Sequence, residues 1–331
     1  MADDRTLAAA LVGRPIDTLV GLSGGGNNRL FRVVAGDACG VMKRYDAGDA
    51  SGRERFARET AAAQFLANTV LADRAPRLVA ADEAASAALF DWIAGAPVET
   101  RGPDELAQLA NFIRDLHAAR TLPGAQAIGA AAEACLSPAE LARQIDGRRG
   151  RLGAVADEPG LSAYLARFDR AWRPLRQNLA DDHAVLAQEH QTLSPSDFGF
   201  HNARRRPDAR LVFLDFEYFG WDDPAKLTAD ILWHPGMMLR EDEAAGLQRT
   251  FEALYGRTDP GFARRLARVL PAFGLRWCLI LLNEFLPDRW ARRRQARDWD
   301  AAEWGAAKLR QMAKAEHLIA RVEACRGEIV Q

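Results

Sequence analysis

Ser196-Asp197-Phe198-Gly199-Phe200-His201-Asn202, followed by Leu214-Asp215-Phe216-Glu217, is the stretch of this sequence best equipped for chemistry. Transfer of a phosphoryl group to a hydroxyl needs a carboxylate near the attacking oxygen and hard oxygen ligands for magnesium. An Asp, an Asn five positions later and an apolar run ending in a second Asp supply such groups. The turn at Arg206-Pro207-Asp208 folds the later Asp back beside the loop. In isolation an Asp-x4-Asn pattern is an ordinary loop, so its weight rests on what stands upstream.

Upstream, Lys43 closes the apolar run Val41-Met42, and Glu59 follows in Ala57-Arg58-Glu59-Thr60. A strand lysine held by a helix glutamate reaches the α- and β-phosphates of a nucleotide with its ammonium fixed. A lone lysine could equally be a snorkelling surface residue. This chain writes nearly every cation as arginine, however, with lysine only at Lys43, Lys226, Lys308 and Lys314, which favours function. Glu54 is an alternative partner on the same helix, with a less suitable spacing. Before the lysine, Gly21-Leu22-Ser23-Gly24-Gly25-Gly26-Asn27-Asn28 lies between two strand-like runs. Its glycines let backbone N–H groups approach phosphate oxygens, although many such stretches are plain hairpins. No Gly-Lys-Ser/Thr follows, so it is not a Walker loop.

These groups need a scaffold. The first hundred residues carry strand-like runs at Thr18–Leu22, Leu30–Val34, Cys39–Tyr45, Arg77–Ala80 and Ala87–Ile93, with a helix over Arg53–Leu66. That makes a small antiparallel α+β lobe. Beyond Pro103 the pattern turns helical: Leu106, Leu109, Ile113 and Leu116 share a face, and Ser137-Pro138-Ala139-Glu140 forms a capping box. Helices are expected over Leu161–Asn178, Pro224–Leu232, Glu241–Tyr255, Gly261–Phe285 and Ala301–Ala324, with one strand-like insert at Leu211–Phe216. The expected division is residues 1–95 as the nucleotide-binding lobe and 96–331 as the helical catalytic and substrate-binding lobe.

Bulk properties narrow the partners. The chain has 331 residues, a net charge of -1 and 27% charged residues, so no global basic field recruits nucleic acid. Arg204-Arg205-Arg206 and Arg292-Arg293-Arg294 are local runs, read as solvated faces. The start MADDRTLAAALVG has no secretory pattern, and Leu275–Phe285 is too short and polar to span a bilayer, so no membrane partner is expected. Cys39, Cys135, Cys278 and Cys325 lack paired spacing, which fits the cytoplasm.

With these residues in place, the sequence resembles the aminoglycoside phosphotransferase/choline kinase family of the protein-kinase-like superfamily. The likeness runs through the Gly loop, Lys43, Glu59, Leu89-Phe90-Asp91-Trp92-Ile93-Ala94-Gly95, Leu109–His117 and the Asp197/Asn202/Asp215 set. It implies a bilobal kinase-like fold, with Asp197 as catalytic base and Asn202 and Asp215 as magnesium ligands. Ser23, Gly24, Gly25, Asn28, Lys43 and Glu59 would then serve ATP, with the Phe90, Asp91, Trp92 and Ile93 backbone meeting the purine. Asp222, Asp223, Pro224 and Asp230 would buttress the loop. The family's usual His-Gly-Asp is replaced here by Pro195-Ser196-Asp197. His201 reads first as a packing or hydrogen-bonding residue rather than a proton-transfer group.

The expectation is a Mg-ATP-dependent kinase of a small hydroxylated molecule such as a sugar, amino sugar or amino alcohol. Little chain separates Glu217 from the helix at Pro224, leaving no room for a peptide-docking platform and disfavouring a protein kinase. The alternative is a nucleotide-binding pseudokinase or scaffold, suggested by Pro195-Ser196. A cationic acceptor would need carboxylates or an aromatic cage, for which Glu284, Asp288, Trp277 and Trp290 are available, although such tryptophans are more often packed in cores.

Overall fold

The computed structural model describes residues 4–22, 28–290 and 301–329. Its contacts divide the chain into two units, residues 1–132 with 192–221, and residues 133–191 with 222–331.

The first unit opens with helix α1 (Asp4–Val12), which is not among the elements expected from the sequence. Strands β1 (Thr18–Leu22), β2 (Arg29–Ala35) and β3 (Ala38–Arg44) follow, then α2 (Ala50–Leu66), β4 (Leu78–Asp82) and β5 (Ala87–Asp91). They form a five-stranded antiparallel sheet in the order β1-β2-β3-β5-β4. The β2–β3 turn needs a left-handed residue, which Gly36 supplies at φ 59°. Alternation sends Val33, Met42 and Leu89 to one face, where Leu7 and Ile16 cover them, and Ala88 and Phe90 to the other, under Phe56 and Ala63 of α2. Asp49 caps α2 by accepting from Ser51 N, so the helix starts before Arg53, the expected position. At Gly52 a Cβ would lie 2.1 Å from Asp46 O, so the entry to α2 tolerates only glycine.

The same unit continues through β6 (Ala96–Pro97), α3 (Pro103–Ala119), β7 (Thr192–Ser194), β8 (Ala203–Arg205), β9 (Leu211–Phe213) and all but the last residue of β10 (Gly220–Asp222). The expected strand over Leu211–Phe216 stops at Phe213, because Asp215 takes a left-handed backbone (φ 66°). β6, β8 and β9 form one small sheet; β7 pairs with β10. Residues 96–132 therefore group with the five-stranded sheet, and the contact units do not divide at 95/96. Arg205, in the first arginine run, pairs with Glu105 at 2.9 Å, while the run at 292–294 lies outside the described residues.

On α3, buried His117 places Nδ1 3.0 Å from Thr192 Oγ1 on β7. Burial, aided by the charge of Arg120, lowers the ring's pKa from 6.5 to about 4. As pH falls from 6.5 towards 4 the unfolded chain takes up a proton that the folded ring refuses, so stability is lost across that window. Urea unfolding of His117→Gln is expected to show a flatter pH dependence there than the parent; an identical slope would exclude the assignment.

The second unit is helical: α4 (Pro138–Gly153), α5 (Leu161–Leu179), α6 (Pro224–Trp233), α7 (Glu241–Tyr255), α8 (Phe262–Leu281) and α9 (Ala301–Ile329). Ser137 caps α4 as its sequence implies, accepting from Glu140 N at 3.2 Å. α8 is central, packed by α4, α6 and α9. With the 3-10 turn Leu282–Phe285 it is long and apolar enough to cross a membrane by length and composition only, and most of it is buried inside the protein. All of α6 is buried, including Lys226 and Asp230.

Candidate active site

The aromatic residue after Asp197 and those flanking Asp215 pack together. Phe198 and Phe213 lie 5.2 and 4.8 Å from the Phe112 ring of α3 and 4.5 Å from each other. Phe216 stacks on the same Phe112 at 6.2 Å. These buried rings fix the backbone that carries the two acids. The loops are also tied directly, since Leu214 N donates to Asn202 O at 2.7 Å and Asn202 Nδ2 donates to Asp197 O at 2.9 Å. Ser196 and Asp215 both have left-handed backbones, at φ 64° and 66°. Such conformations are costly for non-glycine residues and persist where the surroundings enforce them.

Lys43 is the hub of this site. Its Nζ lies 2.6 Å from Glu59 Oε2, 3.2 Å from Glu217 Oε2, and in contact with Asp215 Oδ1. Tyr45 donates to the same Glu59 oxygen at 2.6 Å. Glu54 instead faces outward and pairs with Arg58 at 3.2 Å, which removes it as an alternative partner. Burial raises the Glu59 pKa to about 7 even though Lys43 opposes the shift, and burial also raises Asp215. Burial alone would lower Lys43, but the Asp215 and Glu59 charges outweigh it and hold the ammonium well above its ordinary value.

Three carboxylates thus surround one ammonium, with the Arg55 guanidinium 3.9 Å from Glu217. An excess of hard anionic oxygens is the donor chemistry a divalent cation prefers, so the residues fit magnesium. Asn202 agrees with this, because its NH2 is committed to Asp197 O and its oxygen is the end left to ligate.

Glu217 was not singled out by the sequence analysis. It is buried, it meets Lys43, and Asn28 Nδ2 donates to it. The alternation Leu214-Asp215-Phe216-Glu217, apolar then acidic twice, was the available signal. Asn28, expected at the nucleotide, is thereby turned towards this carboxylate. Ser23, Gly24 and Gly25 lie outside the described residues. Along Phe90–Ile93, the Asp91 amide donates to Arg77 O at 3.0 Å and the Trp92 amide to Cys39 O at 3.3 Å. Arg32 covers the Trp92 ring at 4.7 Å.

Asp222, Asp223 and Asp230 make buried contacts within the second unit. Asp222 accepts from Cys135 N at 2.9 Å, Asp223 pairs with Arg265 at 3.1 Å, and Asp230 accepts from Trp277 Nε1 at 2.8 Å. Trp277 also meets His234 edge-on at 4.4 Å, and Trp290 stacks on Trp304 at 5.1 Å with Lys308 over the Trp304 ring. These contacts describe packed tryptophans rather than the walls of a shared cage.

The profile of the phosphotransferase enzyme family, APH, matches residues 18–266. The chain belongs to this family. Members of this phosphotransferase family are small-molecule kinases with hydroxyl acceptors, and that is the enzyme class of this chain. None of the curated proteins matches it. Among solved structures it is similar to a choline kinase from Streptococcus pneumoniae, at 16% identity and TM-score 0.59, covering 96% of this chain and 97% of the other. A macrolide 2'-phosphotransferase from Brachybacterium faecium aligns at 20% identity and TM-score 0.54, over 89% and 97% of the two chains. A thermostable mutant of aminoglycoside phosphotransferase APH(4)-Ia, in ternary complex with ADP and hygromycin B, aligns at 16% identity and TM-score 0.60, over 97% and 98%. At these identities the structures share the fold: the phosphotransferase chain has the protein-kinase-like fold, an antiparallel N-terminal sheet followed by helices.

Proposed function

We propose that the protein is a Mg-ATP-dependent kinase that phosphorylates a hydroxyl of a small molecule such as a sugar, amino sugar or amino alcohol. The observation that carries this reading is Lys43 held between Glu59 and Asp215, the arrangement that fixes an ammonium for phosphate oxygens. The ADP bound in the structurally similar hygromycin B complex supports the choice of nucleotide. In this reading the N-terminal sheet, residues 1–95, serves the nucleotide, and residues 96–331 supply catalytic and acceptor groups. Ser23, Gly24, Gly25 and Asn28 are the residues we assign to nucleotide binding in this stretch.

Asp197 accepts the proton of the acceptor hydroxyl as the oxygen attacks. Lys43, neutralised on one side by Glu59, offsets charge gathering on the phosphoryl oxygens. Asn202 and Asp215 would hold magnesium, with Glu217 beside them; bound there, the metal supplies charge neutralisation of the phosphates. Of the Phe90–Ile93 backbone, the Asp91 and Trp92 amides donate within the protein, and we assign the Ile93 amide to the purine. The widely spaced cysteines suit a reducing cytoplasm.

ADP release in magnesium and ATP, screened across amino alcohols, sugars and aminoglycosides, tests the proposal. The expected result is acceptor-stimulated ADP release that requires magnesium. Tight binding of a fluorescent ATP analogue with no ADP release from any acceptor or from water would support the pseudokinase instead, the reading favoured by Pro195-Ser196.

A further inference from the structure

The catalytic loop contains one titratable pair within itself. His201 Nε2 lies 3.0 Å from Asp197 Oδ1, across one turn of chain. His201 sits in the 3-10 turn Phe200–Asn202, whose next residue, Asn202, clamps the Asp197 carbonyl at 2.9 Å. Two consecutive side chains of one turn therefore hold both ends of the same residue, Asn202 its backbone and His201 its carboxylate.

The chain before Asp197 offers no equivalent support. Pro195 has no side-chain donor, and Ser196 directs its hydroxyl to Tyr218 O at 3.4 Å. Ser196 is also left-handed, so the backbone turns sharply just before the acid. An ionised Asp197 is acceptor-only, so the ring nitrogen facing it carries the proton. A donor on Oδ1 fixes the plane of the carboxylate and so the direction of its other oxygen.

Resting on the kinase reading above, we infer that His201 is the positioning residue of the catalytic base: its Nε2–H orients the Asp197 carboxylate towards the acceptor hydroxyl. It transfers no phosphoryl group and acts through Asp197. Gln places an amide NH2 at nearly the reach of imidazole Nε2, whereas Ala removes the donor, so the pair His201→Gln and His201→Ala isolates the hydrogen bond from the rest of the ring.

Two measurements test the assignment. In the first, ATP turnover with water as acceptor is followed by ADP release for the parent and both variants. His201→Ala is expected to lower kcat about 10- to 100-fold, the scale of a misaligned catalytic group, with KM for ATP essentially unchanged. His201→Gln should recover most of that loss. Equal rates for parent and His201→Ala, or a Gln variant as slow as the Ala variant, would overturn the proposal. In the second, crystal structures of the three proteins without nucleotide are compared. The Asp197 carboxylate should keep one orientation in the parent and in His201→Gln, and turn away in His201→Ala. An unchanged carboxylate in His201→Ala would overturn the inference whatever the rates. If the parent releases no ADP with water or with any acceptor of the screen above, the kinase reading fails by itself, and the crystallographic comparison still decides the role of His201.

Discussion

Replacing Asp197 by alanine is expected to cut ATP turnover by about 10²–10⁴-fold, the usual contribution of a positioned general base, while nucleotide affinity stays close to that of the parent. The asymmetry follows from where the groups sit. Lys43 stands on β3 and Glu59 on α2, each anchored within the sheet-containing part of its unit. Asp197 belongs to the loop after β7 and has a side chain 36% exposed, so its truncation disturbs little packing. The neighbouring Phe198 stays locked against Phe112 and Phe213. ADP-release kinetics read the first quantity, and titration with a fluorescent ATP analogue reads the second. Unchanged turnover in Asp197→Ala would remove the proposed base; a matching collapse of nucleotide binding would show instead that the loop had lost its shape.

The largest stability effect is expected at Lys226. Its Nζ lies 2.8 Å from Asp222 Oδ2 and 3.1 Å from Asp230 Oδ2, one helical turn away on either side. The three side chains are 1%, 0% and 5% exposed. Burial works against the ammonium, but the two carboxylates outweigh it and raise its pKa, so the lysine is fully charged at neutral pH and its stabilisation is lost only in strong base. Lys226→Met preserves length and volume but takes the shared counter-charge from two buried carboxylates; the Arg276 guanidinium lies 3.5 Å from Asp230. Breaking a buried ionic pair on one side costs about 3–5 kcal/mol, against a total stability of about 5–15 kcal/mol. Thermal unfolding should therefore fall by on the order of 10 °C. Adding Asp230→Asn to Lys226→Met should restore part of the loss, because the pair is coupled. A Tm equal to the parent's would show that the lysine is not needed to neutralise these acids.

The two lysines show how far composition alone carries. The scarcity of lysine marked Lys43 as purposeful, and the structure gives it three carboxylate neighbours. The same scarcity marked Lys226, but no local pattern says that a lysine in Pro224–Trp233 is buried on every side. Burial of a whole helix depends on what packs around it, here α7 and α8. Glu217 was missed for a related reason: it reads as the end of a strand-like alternation, and only the left-handed turn at Asp215 brings it to Lys43.

By itself, the sequence determined the order of elements and the identity of the chemically able residues, because helix periodicity, caps and strand alternation are local properties of the chain. Thr18–Leu22 and Glu241–Tyr255 could be placed to the residue on that basis. It also determined the family, whose motifs are short and ordered along the chain. Only the tertiary structure decided which residues meet. Lys43 and Asp215 stand 172 positions apart, and no local rule relates them. Their meeting depends on the β3–β5 register and on the aromatic packing around Phe112, both set by long-range burial rather than by spacing.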